Sequence, residues 1–429
     1  LTPNRALQGV GQGGPKCHYS MRLMKRMAAK KAVITINCRN FDKFIIAGIW
    51  TICMLFAVES QADESLAEVK IPQTLSAGLH HFLDLADPDK TVTFDPKKVA
   101  GVLDFINQPE KDAALYYADS ILDAPSAYYE FDIHENLKKI VAYSFNPDIP
   151  DIATVPSSVR LLYWLDASGN RQSPPRIGQY LDRLDSPVVI NGLQYMEITP
   201  NTHSGAYYAY NMHHTMLLFK YRQRNILVTV SKQADVSTVG KKGYVLGADD
   251  DWDYYYSGKP GLTIPALGWV KSYMYESGGI NIYDQADPVA GRVRCAVFKW
   301  LRAGWSGINM VQRQHIYSGL KRFAKPLKEI LEYPSLPSVE SMVEDFSRIR
   351  GFSEDTLRSK MAIYSAILQN RYDGGKGHAK KLPTFLSKNK NHWARMSKDE
   401  MESALVIEYM KYATGKTRPD EVRDLLGLK

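Results

Sequence analysis

Two pairs of adjacent histidines have the side-chain types best suited to bind a metal or to transfer protons. They are His80 with His81 and His213 with His214. Neighbouring residues of a strand point to opposite faces of its sheet, so His213 and His214 need ligands from a second segment to bind one metal ion. The three-ligand spacing of a zinc site is missing. We therefore interpret these histidines as partly exposed or hydrogen-bonded residues and predict no metal site.

A dense acidic loop covers Asp249, Asp250, Asp251 and Asp253. Four carboxylates at this spacing are candidate calcium ligands, but the alternation and the distal glutamate of a calcium-binding loop are absent. We favour a solvated loop. Tyr254-Tyr255-Tyr256 follows it directly and predicts either an aromatic pocket wall or a sheet edge.

Motifs with a known catalytic mechanism are missing from the chain. It contains no GxSxG, HExxH, P-loop or CxxC motif. Without CxxCH a covalently bound haem is not expected. We predict no catalytic residues and no cofactor.

The first 62 residues have the layout of an export signal. They hold nine basic and two acidic residues, whereas the remaining 367 residues hold 45 basic and 44 acidic residues. Residues 44–58 carry no charge, and Ser60-Gln61-Ala62 supplies the small residues of a cleavage site. We predict a signal peptide cleaved after Ala62 and a periplasmic or secreted protein. The alternative is an uncleaved membrane anchor, although fifteen residues fall short of the ~20 that a spanning helix needs.

Compartment and charge limit the partners. The near-neutral body gives no support for nucleic-acid binding. Cys295 alone of the four cysteines lies beyond the leader, so we predict a buried apolar residue without a disulfide. The basic run 371–395 is suited to phosphate or lipid headgroups, but a solvated linker is the simpler interpretation.

Helices are predicted before and after a long series of strands. Residues 75–85, the segment after Asp95-Pro96 and residues 111–122 are predicted helices. Predicted strands follow at 128–133, 139–145, 159–165, 188–198, 206–211, 215–221 paired with 226–231, and 271–275 paired with 280–283 around Ser277-Gly278-Gly279. This pattern predicts an α+β fold with an antiparallel sheet.

The stretch 292–333 combines the last strand with the longest helix. Residues 293–301 carry bulk on both faces, which predicts an interior strand. Residues 311–333 show helical spacing, with a kink or break expected at Pro326. Gly319 predicts either close approach of the sheet or a weak helical turn. We assign 63–333 to one α+β domain and 338–429 to a small helical domain, with helices at 338–350 and 353–370 and one opened by a Ser397–Glu400 capping box.

Part of this order resembles the START-like helix-grip domains. The matching positions are 228–231, Lys242-Gly243-Tyr244-Val245, and Trp305-Ser306-Gly307 leading into 311–333. The resemblance covers about 190–333, and 245–270 is longer than the family's core. It implies a curved antiparallel sheet that grips a helix around an apolar cavity for lipid-like ligands.

Three functions remain in competition. The first is an exported, non-catalytic protein of the bacterial envelope that binds a lipid-like or other apolar molecule, with Phe298, Trp300, Leu320 and Phe323 as cavity-wall residues. The second is a scaffold whose helical domain docks an envelope protein. The third is a hydrolase using His213 or His214 with an aspartate of 249–253.

Overall fold

The computed structural model describes residues 66–427 except 109–110, 112–113, 122, 203, 265–267 and 373–394. The predicted signal peptide, its cleavage site and most of the basic run 371–395 lie outside the described residues.

An eleven-stranded sheet dominates the fold. With strands numbered along the chain, it contains β1 (Glu68–Lys70), β2 (Leu115–Tyr117), β3 (Ser126–Ile133), β4 (Val159–Leu165), β5 (Arg171–Gln172), β6 (Val188–Ile198), β8 (Ala209–Tyr221), β9 (Arg224–Gln233), β14 (Tyr273–Asp287), β15 (Arg292–Trp305) and β16 (Ile308–Asn309). Their spatial order is β1-β2-β3-β15-β14-β9-β8-β6-β4-β5, with β16 paired to β15. Only β1 and β2 run parallel among these pairs. The predicted α+β class is therefore confirmed, with a mixed sheet.

Two small sheets and eight helices complete the described chain. One small sheet has the order β11 (Asp253–Pro260), β10 (Lys241–Leu246), β7 (Ala206–Tyr207), and the other pairs β12 (Leu262–Ile264) with β13 (Gly268–Val270). The helices are α1 (Ser76–Leu85), α2 (Pro96–Ile106), α3 (Leu137–Ser144), α4 (Arg313–Leu331), α5 (Val339–Arg350), α6 (Glu354–Tyr372), α7 (Lys398–Ala413) and α8 (Pro419–Leu426). Within the described residues, no helix has both the length and the apolar character needed to cross a membrane.

Helix starts agree well with the sequence. Asp95 accepts a hydrogen bond from the Lys97 backbone amide, and Pro96 is the first residue of α2. Ser397 and Glu400 form the expected capping box of α7. Both predictions are confirmed because capping needs only residues a few positions apart.

Three predicted elements are wrong. Residues 139–145 lie within α3 and the following turn, not in a strand; the Asn136 side chain caps this helix, and Leu137, Ile140 and Val141 bury one helical face. The predicted helix 111–122 contains β2 instead. The predicted turn at Ser277-Gly278-Gly279 lies inside β14, which is one continuous strand.

The strand–helix unit 292–333 is largely as expected. Strand β15 is an interior strand, paired with β14 on one side and with β3 on the other. Helix α4 continues through Pro326 without a break. A methyl group on Gly319 would meet nothing within 4 Å, so this glycine does not serve close packing against the sheet.

Apolar cores cover the two faces of the main sheet. On one face α1 and α2 pack against Phe298, Ile280 and Val228. On the other, the buried sides of α3 and α4–α8 share a core with β3, β8, β9, β14 and β15. The helices expected in 338–429 are therefore present and pack on the same core as the sheet.

Candidate ligand-binding face of the sheet

The strand register brings polar side chains together across the middle of the main sheet. Lys299 on β15 pairs with Gly279 on β14, Gly279 with Ser231 on β9, and Ser231 with His214 on β8. Paired residues and those two positions away point to the same face. We call the eight polar side chains on this face the polar band: Gln194, His214, Thr229, Ser231, Gln233, Ser277, Asn281 and Lys299.

The polar band lies between apolar clusters. Met216 beside it belongs to the core shared with the C-terminal helices, and Met212 belongs to a cluster with Tyr210 and Met274. Val297 packs with Leu320 of α4 on the third side. The band is therefore a polar patch with apolar clusters on three sides.

Lys299 is the one charged member of the polar band. Its ammonium donates a hydrogen bond to the Ser277 hydroxyl over 2.7 Å and forms no ion pair with any residue that the structure describes. Burial lowers its pKa to about 8 because the charged form loses its hydration. The site thus contains a partly buried amine that pairs with no described carboxylate.

Gly279 provides the space in which this lysine lies. A methyl group on Gly279 would stand 3.7 Å from Lys299 Cδ and 3.2 Å from Ser231 Oγ. The Lys299 side chain and the Ser231 hydroxyl therefore both lie over Gly279, where a larger residue would contact them. Close approach of side chains explains a glycine that the sequence suggested as a turn residue.

Three polar atoms of the band are buried without a hydrogen-bond partner: Gln194 Oε1, His214 Nδ1 and Gln233 Oε1. The Gln233 amide nitrogen donates to the carbonyls of Asp235 and Met274, which fixes the orientation of its oxygen. An unpaired buried polar atom costs ~1–3 kcal/mol. Three such atoms on one face leave hydrogen-bonding capacity that no described protein group uses.

His214 in the band and Tyr210 beside it are both uncharged at neutral pH. Burial lowers the pKa of His214 to about 4, so its imidazole is neutral at neutral pH. The Trp164 ring meets it edge-on with centroids 5.6 Å apart. Burial raises the pKa of Tyr210 to about 12, and its hydroxyl lies by Ser277 and donates to Met196 Sδ. At neutral pH Lys299 is therefore the band's only source of charge.

The four predicted wall residues lie on two sides of the sheet. Phe298 and Trp300 face α1 and α2, where Trp300 Nε1 donates to the Asp119 carbonyl. Leu320 and Phe323 project from α4 on the side of the polar band. They do not line one common cavity, because Phe298 and Trp300 alternate with the residues that face α4.

The other three histidines of the two adjacent pairs lie in ordinary structural settings. His81 Nε2 accepts a hydrogen bond from the Asp95 amide, and His80 Nδ1 lies 2.8 Å from the Ser76 carbonyl. His213 pairs with Lys232, which bonds Asp87 beside α1, so the two histidines of this pair do point to opposite faces. Among the described residues, no group of three or more His, Cys, Asp or Glu is placed to hold a metal ion.

The acidic loop is tied to the protein by cations. Arg322 bonds Asp249 through two nitrogens, Lys325 bonds Asp250, and Lys411 bonds the buried Asp253. The Asp251 carboxylate accepts from the Ala248 amide. The interpretation of 249–253 as a solvated loop is wrong for Asp253, and no described contact joins these aspartates to His213 or His214.

No protein-family model, curated protein or solved structure matches this chain. The resemblance to helix-grip domains therefore stays a prediction.

Proposed function

We propose that this protein binds an amphipathic small molecule on the polar band, without chemical turnover. The observation that carries the proposal is the band itself. Its members lie on one face of the sheet. Within the part of the chain that the structure describes, three of their polar atoms have no partner and Lys299 has no counter-ion. A ligand with a polar end would complete these interactions, and its apolar part would pack on the surrounding clusters.

The arrangement of α4 supports a helix-grip-like interpretation of this region. Ile316 and Leu320 of α4 pack on Ala127 of β3 and Val297 of β15, at the margin of the band. The helix thereby forms one wall beside the polar face. Together with the predicted signal peptide, this favours an exported carrier or receptor for a lipid-like molecule in the bacterial envelope.

The two competing functions have less support. A docking scaffold would need exposed apolar stripes on α6 or α7. Most large apolar residues of these helices are buried, and the exposed apolar residues of α6 are Ala362, Ile363 and Ala366. A hydrolase would need His213 or His214 near an aspartate of 249–253, and Asp249, Asp250 and Asp253 are each engaged by a cation instead.

Ligand content and uptake test the proposal directly. The full chain, purified natively from a bacterial envelope fraction, is extracted with solvent and examined by native mass spectrometry. Delipidated protein is then titrated with a fluorescent fatty acid. We expect one bound molecule per chain in both measurements.

A matched pair of variants locates the site. Ser231→Leu adds bulk to the centre of the band and should abolish uptake, whereas Lys220→Met changes an exposed residue of β8 and should leave uptake intact. Circular dichroism verifies that both variants fold. Folded wild-type protein that carries no ligand and takes up none would refute the function.

A further inference from the structure

We infer that the ligand of the polar band is an anion and that Lys299 is its counter-ion; this inference rests on the proposed function. The chemical class is an amphiphile whose head group is a carboxylate or a phosphate monoester. The neighbouring Ser277 hydroxyl holds the ammonium in place.

Other buried cations in the described chain are paired with carboxylates, unlike Lys299. Arg160 bonds Glu197 at 2.5 Å and Glu400 at 2.6 Å, and Arg371 bonds both Asp253 and Glu408. Lys411 bonds the same two carboxylates as Arg371. Each of these cations has its negative charges built into the fold, as buried charges require. Among the described residues Lys299 bonds only a hydroxyl, and we assign its negative charge to the ligand.

The ammonium of Lys299 has unused hydrogen-bond donors. An ammonium has three N–H donors, and the described contacts use one, on Ser277. The Tyr210 hydroxyl hydrogen-bonds Ser277 and donates to the Met196 thioether, which is a weak acceptor. The unused N–H donors of a positively charged ammonium can bind an oxyanion.

The amine of Lys299 lies close to apolar side chains. Lys299 lies across Gly279 on a face bordered by Val297, Leu301 and Met216. An anion that reaches this amine brings its attached chain against apolar side chains. A free inorganic anion would gain the charge contact without that packing. The site thus selects an anionic head group that is attached to an apolar body.

A structural alternative is a lysine that is held neutral by burial and bonded only to Ser277. The lowered pKa of the free amine fits both interpretations, but they differ in ligand selectivity. A neutral structural lysine gives no preference for charge. A counter-ion gives a preference that disappears when the amine is removed or deprotonated.

Three probes that share one alkyl chain separate these possibilities: a long-chain fatty acid, the corresponding alkyl phosphate and the corresponding alcohol. Dissociation constants are measured by calorimetry on the delipidated full chain at pH 7. We expect one or both anions to bind at least about tenfold more tightly than the alcohol. The ratio between acid and phosphate tells which head group the site prefers.

Lys299→Met should reduce anion affinity to that of the alcohol and leave alcohol binding unchanged. Lys271→Met, at an exposed lysine, is the control and should change neither. Raising the pH from 8 to 10 should weaken anion binding to the wild type as the amine loses its proton. This pH series and the three-probe comparison need no variant, so they decide the matter even if Lys299→Met does not fold.

The outcomes keep the two proposals apart. Equal affinity for all three probes would overturn the anion inference and leave the binding function standing. No binding of any probe by folded protein would overturn the binding function as well. Anion preference retained in folded Lys299→Met would show that another group supplies the charge.

Discussion

The ammonium of Lys411 on α7 bonds the carboxylate of Asp253 on β11, and both side chains are almost completely buried. Lys411 also bonds Glu408, and Arg371 of α6 bonds both carboxylates. Two positive and two negative charges therefore balance inside the protein. Because its members come from β11, α6 and α7, this network attaches the C-terminal helices to the small sheet.

Removal of Lys411 should destabilise the protein strongly. Lys411→Met leaves two buried carboxylates with one arginine, and an uncompensated buried charge costs ~3–5 kcal/mol. Urea unfolding followed by circular dichroism measures the loss. Arg358→Ala breaks the exposed pair with Glu354 and should cost at most ~0.5 kcal/mol.

The double variant Lys411→Met with Asp253→Asn tests whether charge balance is the cause. It leaves Glu408 facing Arg371 as one ion pair. We expect it to be more stable than Lys411→Met alone. Strictly additive losses from the two substitutions would mean that packing, not charge, sets the cost.

Two glycines should respond oppositely to alanine. A methyl group on Gly192 would lie 2.4 Å from Cζ3 of Trp164, so Gly192→Ala must displace that ring and should cost ~1–3 kcal/mol. Gly319 lies in the interior of α4 with open space around it, so Gly319→Ala should stabilise the protein by ~0.5–1 kcal/mol. Thermal unfolding compares the two, and a shift of the same sign in both would contradict the packing described for β6 and α4.

His214 should make the fold sensitive to acid. Burial lowers its folded-state pKa to about 4 from the ordinary 6.5. Between these values the unfolded chain binds a proton that the folded chain does not, so stability is full above pH 6.5 and is lost as the pH falls toward 4. His214→Gln should flatten this part of the stability curve in urea titrations at pH 7, 5.5 and 4.5.

The control for this prediction is His80→Gln, since His80 is an exposed residue of α1. It should leave the acid loss of stability unchanged. An equal effect of the two substitutions would mean that His214 is not the group that titrates.

Asp151 should have the opposite pH dependence. It opens a short 3₁₀ turn, Asp151–Ala153, and burial raises the pKa of its carboxyl to about 7 from the usual 3.8. Between pH 4 and 7 the unfolded chain releases a proton that the folded chain keeps, so stability falls as the pH rises through this interval. Asp151→Asn should match the wild type near pH 4 and exceed it by ~2 kcal/mol above pH 7.

The cleft at Asp151 contains other charged groups whose titration must be separated from its own. They are Arg160, Arg171, Arg350, Asp399 and Glu402. Glu402→Gln is therefore the matched comparison, since burial also raises the pKa of that carboxyl. If Glu402→Gln and not Asp151→Asn raises the free energy of unfolding above pH 7, the titrating group is Glu402 of α7 and not Asp151.

Sequence reasoning succeeded where structure depends on close neighbours. The caps at Asp95 and Ser397 are local, and alternating bulk located β15. It failed for α3, whose Val141, Tyr143 and Phe145 favour a strand by composition while Asn136 and the spacing of Ile140 specify a helix.

The candidate site required information that no single segment contains. Thr229 and Ser231 alternate with Val228 and Val230, which alone is typical of a strand with one solvated face. Only the register with neighbouring strands shows that these residues share one face with His214 and Lys299. The fold class was therefore predictable, whereas the polar band emerged from pairings between distant strands.

The pairing of β3 with β15 has a consequence for how the chain is made. Ser126 lies opposite Trp300, so the centre of the sheet joins segments that leave the ribosome at very different times. The core on its helical side is completed later still, by Val422, Leu425 and Leu426 of α8. A nascent chain must carry its first strands without partners through most of synthesis, which slows folding and exposes strand edges. Chaperones that bind extended, apolar segments should therefore determine the yield of this protein in cells.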